Sequence, residues 1–194
     1  MSMHPEYPDF ENLDILEVSC GQGYSLEWIE NWHGPIKCLI GCDKVVTRNV
    51  NNIVYGDAHK LPFADESFDF ILNVEAAHLY SDYQKFFQEC YRVLRTGGVF
   101  CYLDIRYPRD VSLLNDAAKS LGFVTKHLEL CTEEVVEGLN HSARKYDELL
   151  EKAPWFVKMF KNTLRATYCA PGTEAYERLR TEQKIYLAVM WMKC

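Results

Sequence analysis

Glycine and acidic residues follow three short apolar runs near the start of the chain. Glu17 lies near the end of the run "LDILEV", and Gly21 and Gly23 lie in the turn "SCGQG" that follows it. Asp43 and Asp57 each follow a later run. Glycines let the backbone turn sharply and approach a ligand closely. Asp43 lies 20 residues past Gly23, a spacing at which an acidic side chain can accept from both ribose hydroxyls. The pattern indicates a nucleotide-like ligand, although any tight strand-to-helix turn also favours Gly-x-Gly.

A second group of residues is suited to proton transfer or substrate contact. His78 follows the apolar run "FILNV" and can take a proton at neutral pH, and Glu75 stands just before it. Asp104 and Arg106 end a later run in "LDIRYP", where they can pair with each other or orient a substrate. Structural roles stay open for all four, since His78 can pack at a helix start and Glu75 can cap a helix.

Apolar runs and helical periodicities alternate along the chain and would position these residues. We expect strands at 13–18, 36–42, 52–56, 68–74, 99–105, 123–130 and 184–193, and helices at 24–32, 82–95 and 111–122. The alternation predicts an α/β fold with a doubly wound, mostly parallel seven-stranded sheet. It also predicts a single domain over 1–194, with a helical, aromatic-rich insertion at about 133–168. Ligands of such sheets bind beyond the carboxyl ends of the strands.

Two local signals delimit the helix at 82–95. Ser81 and Gln84 have the spacing of a capping box, which predicts Ser81 as the N-terminal cap. Gly97 and Gly98 follow the last apolar position of the helical face, which predicts that the helix ends just before them.

Composition and charge narrow the possible partners. The net charge of −7 argues against a nucleic-acid partner, which would need a basic face. Without 18 uninterrupted apolar residues or a signal-like N-terminus, we expect no membrane span and a cytoplasmic location. The eight Cys form no Cys-x-x-Cys pair, so we expect reduced, mostly buried thiols and no metal site.

Four ordered motifs carry a resemblance to a known family. The stretches "ILEVSCGQG", "IGCD", "GDAHKLPFADESFDFIL" and "ECYRVLRTGG" resemble the class I S-adenosylmethionine-dependent methyltransferases with a type 11 methyltransferase domain. Residues 73–106 and the ending "GTEAYERLRTEQKIYLAVMWMK" are similar to the small-molecule branch that includes the phthiotriolone and sterol-like methyltransferases. The resemblance covers nearly the whole chain.

The resemblance implies S-adenosylmethionine as the cofactor and assigns it residues position by position. The implied residues around the methionine part are Glu17, Ser19, Gly21 and Gly23, and Asp43 holds the ribose. Asp57 and Ala58 lie at the adenine, and Asn73 and Val74 lie on the sulfonium side. A solvated loop carboxylate for Asp43 and a turn residue for Asp57 are the structural alternatives.

The chain departs from the family pattern in three places. Ser19 stands where the family usually has Gly; if its dihedrals are those of a strand, only the space of its side chain matters. Only eight residues separate Asp43 from Asn52, too few for a regular crossover helix between parallel strands. Relatives also have a longer helical segment before the first strand. The chain therefore looks shortened, and we expect an exposed cleft that binds the cofactor weakly.

The implied activity is methyl transfer to a small, apolar acceptor, most simply at oxygen. His78 and Asp104 are the candidate catalytic residues, and Glu75 and Arg106 are candidate substrate contacts. The stripe of Trp155, Phe156, Met159 and Phe160 favours core packing, with the wall of an apolar substrate pocket, through Trp155, Phe156 and Phe160, as the alternative. A non-catalytic methyltransferase-like binding protein is the second reading. A dinucleotide oxidoreductase is disfavoured because Leu26 stands where the third Gly of Gly-x-Gly-x-x-Gly would be.

Overall fold

The computed structural model describes residues 10–46 and 52–194. Its seven strands form one sheet in the order β3-β2-β1-β4-β5-β7-β6. The strands are β1 (Asp14–Val18), β2 (Cys38–Asp43), β3 (Ile53–Tyr55), β4 (Phe68–Val74), β5 (Leu94–Arg106), β6 (Phe123–Leu130) and β7 (Ile185–Lys193). Each of the seven predicted strands is present, and the predicted α/β fold with a mostly parallel seven-stranded sheet is confirmed.

The centre of the sheet is parallel. β1 pairs in parallel with β2 on one side and with β4 on the other, β2 pairs with β3, and β4 pairs with β5. The chain order therefore reverses between β1 and β4, which opens a crevice at their carboxyl ends. Val18, Asp43 and Val74 mark the ends of three of these strands, so the residues that follow them share one edge of the sheet.

The connection between β2 and β3 is as short as the sequence predicted. Residues 44 to 52, nine in all, join two strands that pair in parallel. Parallel neighbours usually need a dozen or more residues and a helix between them. The edge strand β3 is correspondingly open, since the side chain of Tyr55 is 72% exposed. Residues 47–51 of this connection, and the segment before Phe10, lie outside the described residues.

Seven α-helices connect the strands. They are α1 (Tyr24–His33), α2 (Tyr83–Val93), α3 (Asp110–Ser120), α4 (Thr132–Lys152), α5 (Trp155–Lys158), α6 (Lys161–Thr167) and α7 (Glu174–Arg180), with a short 3-10 helix at Ala77–Leu79. The helical character predicted for 133–168 is present as α4, α5 and α6. The short helix α7 and the 3-10 turn were not expected from the sequence.

Both predicted limits of the helix at 82–95 are wrong. The N-terminal cap is Asp82, whose side chain accepts a hydrogen bond from the backbone N of Lys85 at 2.9 Å, and not Ser81. The helix ends at Val93, before the two glycines, because Leu94 already pairs with Phe68 of β4. Gly97 and Gly98 lie inside β5, where the register shifts between Phe68 and Phe70. A bulge, and not a helix terminus, is what this glycine pair provides.

The buried apolar faces of the strands and helices hold the sheet in place. Ile15 and Leu16 of β1 and Phe70 and Ile71 of β4 are completely buried. Edge-to-face ring contacts at 5.3 to 6.2 Å join residues of α2, β5 and β7: Phe86, Phe87, Phe100, Tyr102 and Trp191. Each such side chain contributes about 1.5–3 kcal/mol to folding when it is fully buried. This core fixes the strand ends from which the candidate site is built.

The chain divides into two compact units. One comprises the residues up to Asp104 together with 111–129 and 188–194, and the other comprises 105–110 and 130–187. The predictions of one domain over 1–194 and of an insertion at 133–168 stay predictions. In the second unit the expected core packing of the aromatic stripe is wrong, since Trp155, Phe156, Met159 and Phe160 are all exposed.

The described residues contain eight thiols, and their helices bear on membrane insertion. None of the eight Cys, all of which lie in the described residues, forms a disulfide, and Cys20, Cys42, Cys90 and Cys101 are buried. Over residues 10–46 and 52–194, no helix is long and apolar enough to cross a bilayer. The same residues contain no cluster of three or more acidic, His or Cys side chains that would hold a metal ion.

Candidate functional site

The glycine-containing loop after β1 is built from left-handed backbone. Ser19, Gly21 and Gly23 have φ values of 59°, 57° and 77°. Gly23 is the N-terminal cap of α1, and its left-handed conformation favours glycine; a Cβ there would lie 2.7 Å from Ile53 Cδ1 and would also displace that side chain. The backbone N of Ser19 donates to Cys42 O at 2.7 Å, and that of Gly23 to Cys20 O at 3.0 Å. The loop is therefore tied to the end of β2.

Ser19 does not have strand dihedrals, so the expectation that only side-chain space matters is not met. A non-glycine residue in the left-handed region costs about 1–2 kcal/mol. Its hydroxyl lies 2.6 Å from the Tyr80 hydroxyl, and the two share a hydrogen bond. This contact offsets part of the strain, and it joins the loop to the segment that follows β4.

Asn73 lies beneath this contact and is completely buried. Its Nδ2 donates to Val18 O at 2.9 Å and to the Tyr80 hydroxyl at 3.1 Å. Its Oδ1 is buried and has no hydrogen-bond partner within the part of the chain that the structure describes. A buried acceptor left unpaired costs about 1–3 kcal/mol. The position of this oxygen next to the loop therefore favours a bound donor at the site.

Glu17 brings a buried negative charge to the loop. Its residue surface is only 3% exposed, and its Oε2 accepts a hydrogen bond from Ser25 Oγ at 2.6 Å. Burial raises the pKa of Glu17, and the Ser25 hydrogen bond lowers it by a smaller amount. A cationic ligand beside this carboxylate would recover part of the cost of its burial.

The predicted ribose carboxylate, Asp43, lies at the end of β2 and faces the loop. Its Oδ2 accepts from the backbone N of Gly21 at 2.8 Å, and its Oδ1 accepts from the backbone N of Val45 at 2.8 Å. Each carboxylate oxygen has further lone pairs, so these two bonds leave acceptor capacity for a ligand. The structure thus brings Asp43 and the loop together, as the sequence predicted.

Asp57 also lies at this edge, and the chain itself supplies donors to it. The backbone N and the Nδ1 of His59 both lie 2.8 Å from its Oδ1, and Lys44 Nζ lies 2.9 Å from its Oδ2. The hydrogen bond from the His59 backbone, followed by that from Lys44, holds the pKa of Asp57 well below its usual range. Asp57 is therefore ionised at any physiological pH. A ligand amino group would compete with Lys44 for this carboxylate.

A cavity of about 260 Å³ lies between these groups. It is lined by Ser19, Asp43, Lys44, Asp57, Ala58, His59, Leu79, Tyr80 and Ser81. This volume is just below the roughly 300–1,000 Å³ of most small-molecule pockets. Four predicted cofactor residues thus line one cavity. Its residues suit S-adenosylmethionine, because they offer carboxylates for the ribose and amino groups and lie beside the buried carboxylate of Glu17 and the unpaired Asn73 Oδ1.

Five lining residues were not anticipated as site residues from the sequence: Lys44, His59, Leu79, Tyr80 and Ser81. Tyr80 is partly buried, and the centroids of the Tyr80 and His59 rings lie 5.5 Å apart. Burial raises the pKa of the Tyr80 hydroxyl. Lys44 and His59 both contact Asp57. The spacing Asp57-x-His59 is a usable signal, since an Asp side chain often accepts from the backbone two residues on. Nothing in the sequence around Tyr80 indicates that its hydroxyl reaches Ser19.

His78 and Asp104 form a hydrogen-bonded pair at the same edge of the sheet. Asp104 is completely buried, and its Oδ1 lies 2.7 Å from His78 Nδ1. Its Oδ2 accepts from the backbone N of His78 at 2.7 Å and from the Tyr102 hydroxyl at 3.3 Å. A carboxylate oxygen accepts, so the ring tautomer that donates to Asp104 has its proton on Nδ1 and presents Nε2 as an acceptor. The His78 side chain is 31% exposed and can therefore meet a reactant.

The remaining predicted residues are less closely tied to the cavity. Val74 is the last residue of β4, and Glu75 follows it with a left-handed φ of 49°, its backbone N donating to Leu103 O at 2.8 Å. Such strained residues cluster at functional sites. Arg106 belongs to the second unit, as does the exposed aromatic stripe containing Trp155, Phe156 and Phe160. Their assignment to substrate stays a prediction.

Comparisons with known proteins identify relatives. A family model described as a methyltransferase domain matches residues 16–102. A fatty-acid O-methyltransferase of Mycolicibacterium smegmatis is 31% identical, over 93% of this chain and 69% of that protein. A phthiotriol/phenolphthiotriol dimycocerosates methyltransferase of Mycobacterium tuberculosis is 31% identical over 77% of this chain. The match spans only 59% of the length of the M. tuberculosis protein.

Solved structures of methyltransferases share the fold. A geranyl diphosphate methyltransferase in complex with S-adenosylmethionine matches 97% of this chain and 81% of its own, with a TM-score of 0.65 at 15% identity. The geranyl diphosphate C-methyltransferase of Streptomyces coelicolor A3(2) matches 95% of this chain and 73% of its own, with a TM-score of 0.66 at 14% identity. At these identities the likeness concerns the fold alone. The family model and the sequence relatives show that the chain belongs to the methyltransferase domain family, in agreement with its four motifs.

Proposed function

We propose that this chain binds S-adenosylmethionine in the cavity beside Ser19 and supports methyl transfer to an oxygen atom of a small, apolar, lipid-like acceptor. When bound, this cofactor supplies an activated methyl group. Glu17, Asp43, Asp57 and Asn73 hold the cofactor. The relatives named for phthiotriol dimycocerosates and for fatty acids support an apolar acceptor.

The observation that carries the proposal is the pair of His78 and Asp104 at the edge that bears the cofactor loop. Asp104 Oδ1 accepts a hydrogen bond from His78 Nδ1, which orients the ring and leaves Nε2 to act as the base. A hydroxyl must lose a proton as it becomes a nucleophile, whereas a carboxylate is already ionised at neutral pH. A general base is therefore needed for a hydroxyl acceptor and not for a carboxylate. The dyad favours an acceptor hydroxyl.

The acceptor has further contacts in this proposal. Glu75 orients its polar end, while the assignment of Arg106, Trp155, Phe156 and Phe160 to the acceptor stays a prediction from the sequence. We also keep the expectations of a cytoplasmic location and of no nucleic-acid partner, which follow from composition and charge.

A non-catalytic binding protein is the second candidate function. It is favoured by the small cavity and by the carboxylates of Asp43 and Asp57, which already accept from Gly21, Val45, His59 and Lys44. A ligand must displace or share these donors. Binding is therefore weaker than at an open carboxylate pair, and positioning for in-line transfer is less rigid.

Isothermal titration with S-adenosylmethionine tests the proposal. We expect a dissociation constant above about 100 μM, which corresponds to about −5.5 kcal/mol. Binding in the low micromolar range would contradict the weak binding expected from the small cavity. No heat of binding at millimolar cofactor would contradict the proposed function itself. Measurable binding without methyl transfer to any long-chain alcohol would favour the second candidate.

A further inference from the structure

The second unit presents four large apolar side chains to solvent on α5 and the residues that follow it. Trp155 is 75% exposed, Met159 70%, Phe160 62% and Phe156 55%. Neither α5 nor α6 contains a buried residue. Single exposed apolar residues are ordinary, but a group this size within six positions marks an interaction surface. Its residues, with the lysines that flank them, are called the aromatic–lysine segment (residues 152–161).

Local hydrogen bonds hold this segment in a defined conformation. The backbone N of Val157 donates to Pro154 O at 3.0 Å, and that of Phe160 donates to Val157 O at 3.0 Å. The rings of Trp155 and Phe156 meet edge to face, with centroids 6.3 Å apart. The apolar side chains are therefore displayed by ordered helical turns, which lowers the entropy lost when a partner binds.

The charge of the segment differs from that of the chain. Lys152, Lys158 and Lys161 are exposed, and no Asp or Glu occurs from Lys152 to Gly172, although the whole chain has a net charge of −7. Lys161 also helps to lower the pKa of Asp147 on α4, as does Arg165, which forms an ion pair with that carboxylate. Lys152 and Lys158 thus supply positive charge at both ends of the aromatic pair.

Trp and Phe flanked by lysines are the composition of segments that lie in the headgroup region of a bilayer. Aromatic rings insert at the level of the headgroups, and lysines contact lipid phosphates. We propose that the aromatic–lysine segment binds the surface of a membrane that contains anionic lipids. An apolar acceptor molecule alone would not use the lysines. In a two-fold contact between two copies, the lysines of one segment would face those of the other and repel them. The inference does not depend on methyl transfer.

Vesicle co-sedimentation of the full chain without cofactor tests the inference. Vesicles of phosphatidylcholine are compared with vesicles in which about a third of the lipid is phosphatidylglycerol. We expect binding to the anionic vesicles that falls about fivefold for each lysine whose charge is removed. The variant Lys152→Gln/Lys158→Gln should therefore bind about 25-fold more weakly, with unchanged far-ultraviolet circular dichroism.

The aromatic contribution has its own variant and a matched control. Trp155→Ala/Phe156→Ala should reduce binding to anionic vesicles about tenfold or more, because these side chains would otherwise leave water. Trp32→Ala is the control: Trp32 is 70% exposed on α1, and acidic residues, Glu27 and Glu30, lie on the same helix. This control should bind vesicles as the unchanged chain does.

Four results would overturn the inference. They are the absence of sedimentation with either vesicle, equal binding to both vesicles, an equal effect of Trp32→Ala, and a dimer that Trp155→Ala/Phe156→Ala dissociates without any vesicle binding. The last result would assign the segment to contact between two copies. Failure of cofactor titration would leave the vesicle result intact, so the two proposals can fail separately.

Discussion

Replacing Ser19 separates the strain of the cofactor loop from the hydrogen bond that opposes it. Ser19→Gly removes both the left-handed strain and the bond to Tyr80, whereas Ser19→Ala removes only the bond and keeps a Cβ at a φ of 59°. The difference between the two variants therefore reports the strain alone. The sum of the two effects in Ser19→Gly decides whether the family's usual glycine would stabilise this loop.

The magnitudes follow from the geometry. Left-handed backbone costs about 1–2 kcal/mol for a residue with a Cβ, and a hydrogen bond contributes about 0.5–1.5 kcal/mol net. The Tyr80 hydroxyl keeps the hydrogen bond from Asn73 Nδ2, so it is not left without a partner in either variant. Ser19→Ala should then lower the free energy of unfolding by about 0.5–1.5 kcal/mol. Ser19→Gly should change it by between about −0.5 and +1.5 kcal/mol, which is the strain removed minus the hydrogen bond lost.

Urea unfolding of the two variants and the unchanged chain measures these differences. The midpoint should be highest or near-highest for Ser19→Gly and lowest for Ser19→Ala, at equal slopes. Cofactor titration should show that Ser19→Gly retains or improves binding. If Ser19→Ala is as stable as Ser19→Gly, the loop is not strained at this residue. A large loss of affinity in Ser19→Gly would mean that the Ser19 hydroxyl contacts the ligand directly.

Three further predictions concern the other groups of the site. Asp43→Ala should weaken cofactor binding at least tenfold, about 1.5–3 kcal/mol, because charge-assisted hydrogen bonds to the ribose are lost; unchanged affinity by titration in a folded variant would remove Asp43 from the site. The raised pKa of Glu17 means that the folded state binds its proton more tightly, so the unfolding free energy falls as pH rises from the ordinary pKa of 4.5 through the raised value. Glu17→Gln should therefore lose less stability between pH 4 and 7 than the unchanged chain, and it should also weaken cofactor binding. Thermal unfolding of both proteins over this pH range measures the difference, and an equal loss of stability would contradict the prediction. His78→Ala should lower kcat for a hydroxyl acceptor about 100-fold or more and leave the cofactor dissociation constant nearly unchanged; an equal loss with a carboxylate acceptor would argue against a base.

The strands could be predicted because the information lies in local patterns, whereas their order in the sheet could not. The strand Phe68–Val74 is mostly apolar and mostly buried, and its limits match the prediction residue for residue. The glycines and acidic residues that follow strands could be assigned to one edge because parallel strands end together. The rule predicts that Asp43 and Ser19 lie at the same edge of the sheet, and both line the cavity there.

Other features depend on contacts that the sequence does not express. The end of α2 was misplaced because pairing between Leu94 and Phe68 overrides the glycine signal three residues later. The conformation of Ser19 was missed because a serine carries no sign of a positive φ. The stripe at Trp155 reads as core because its periodicity is helical, and only the tertiary structure leaves it in solvent.

The costs concentrated at this site help to decide between the two candidate functions. Ser19 and Glu75 are left-handed without being glycine, Glu17 is a buried carboxylate with a raised pKa, and Asn73 Oδ1 is a buried acceptor unpaired among the described residues. Each costs of order 1–3 kcal/mol in the unliganded fold. A cationic ligand that donates hydrogen bonds can recover the costs at Glu17 and Asn73, and that recovery appears as binding free energy. Without a ligand, the unfavourable free energies at Glu17 and Asn73 are not offset. The arrangement therefore favours a chain that binds its cofactor, and it makes the His78–Asp104 pair the feature that separates binding from methyl transfer.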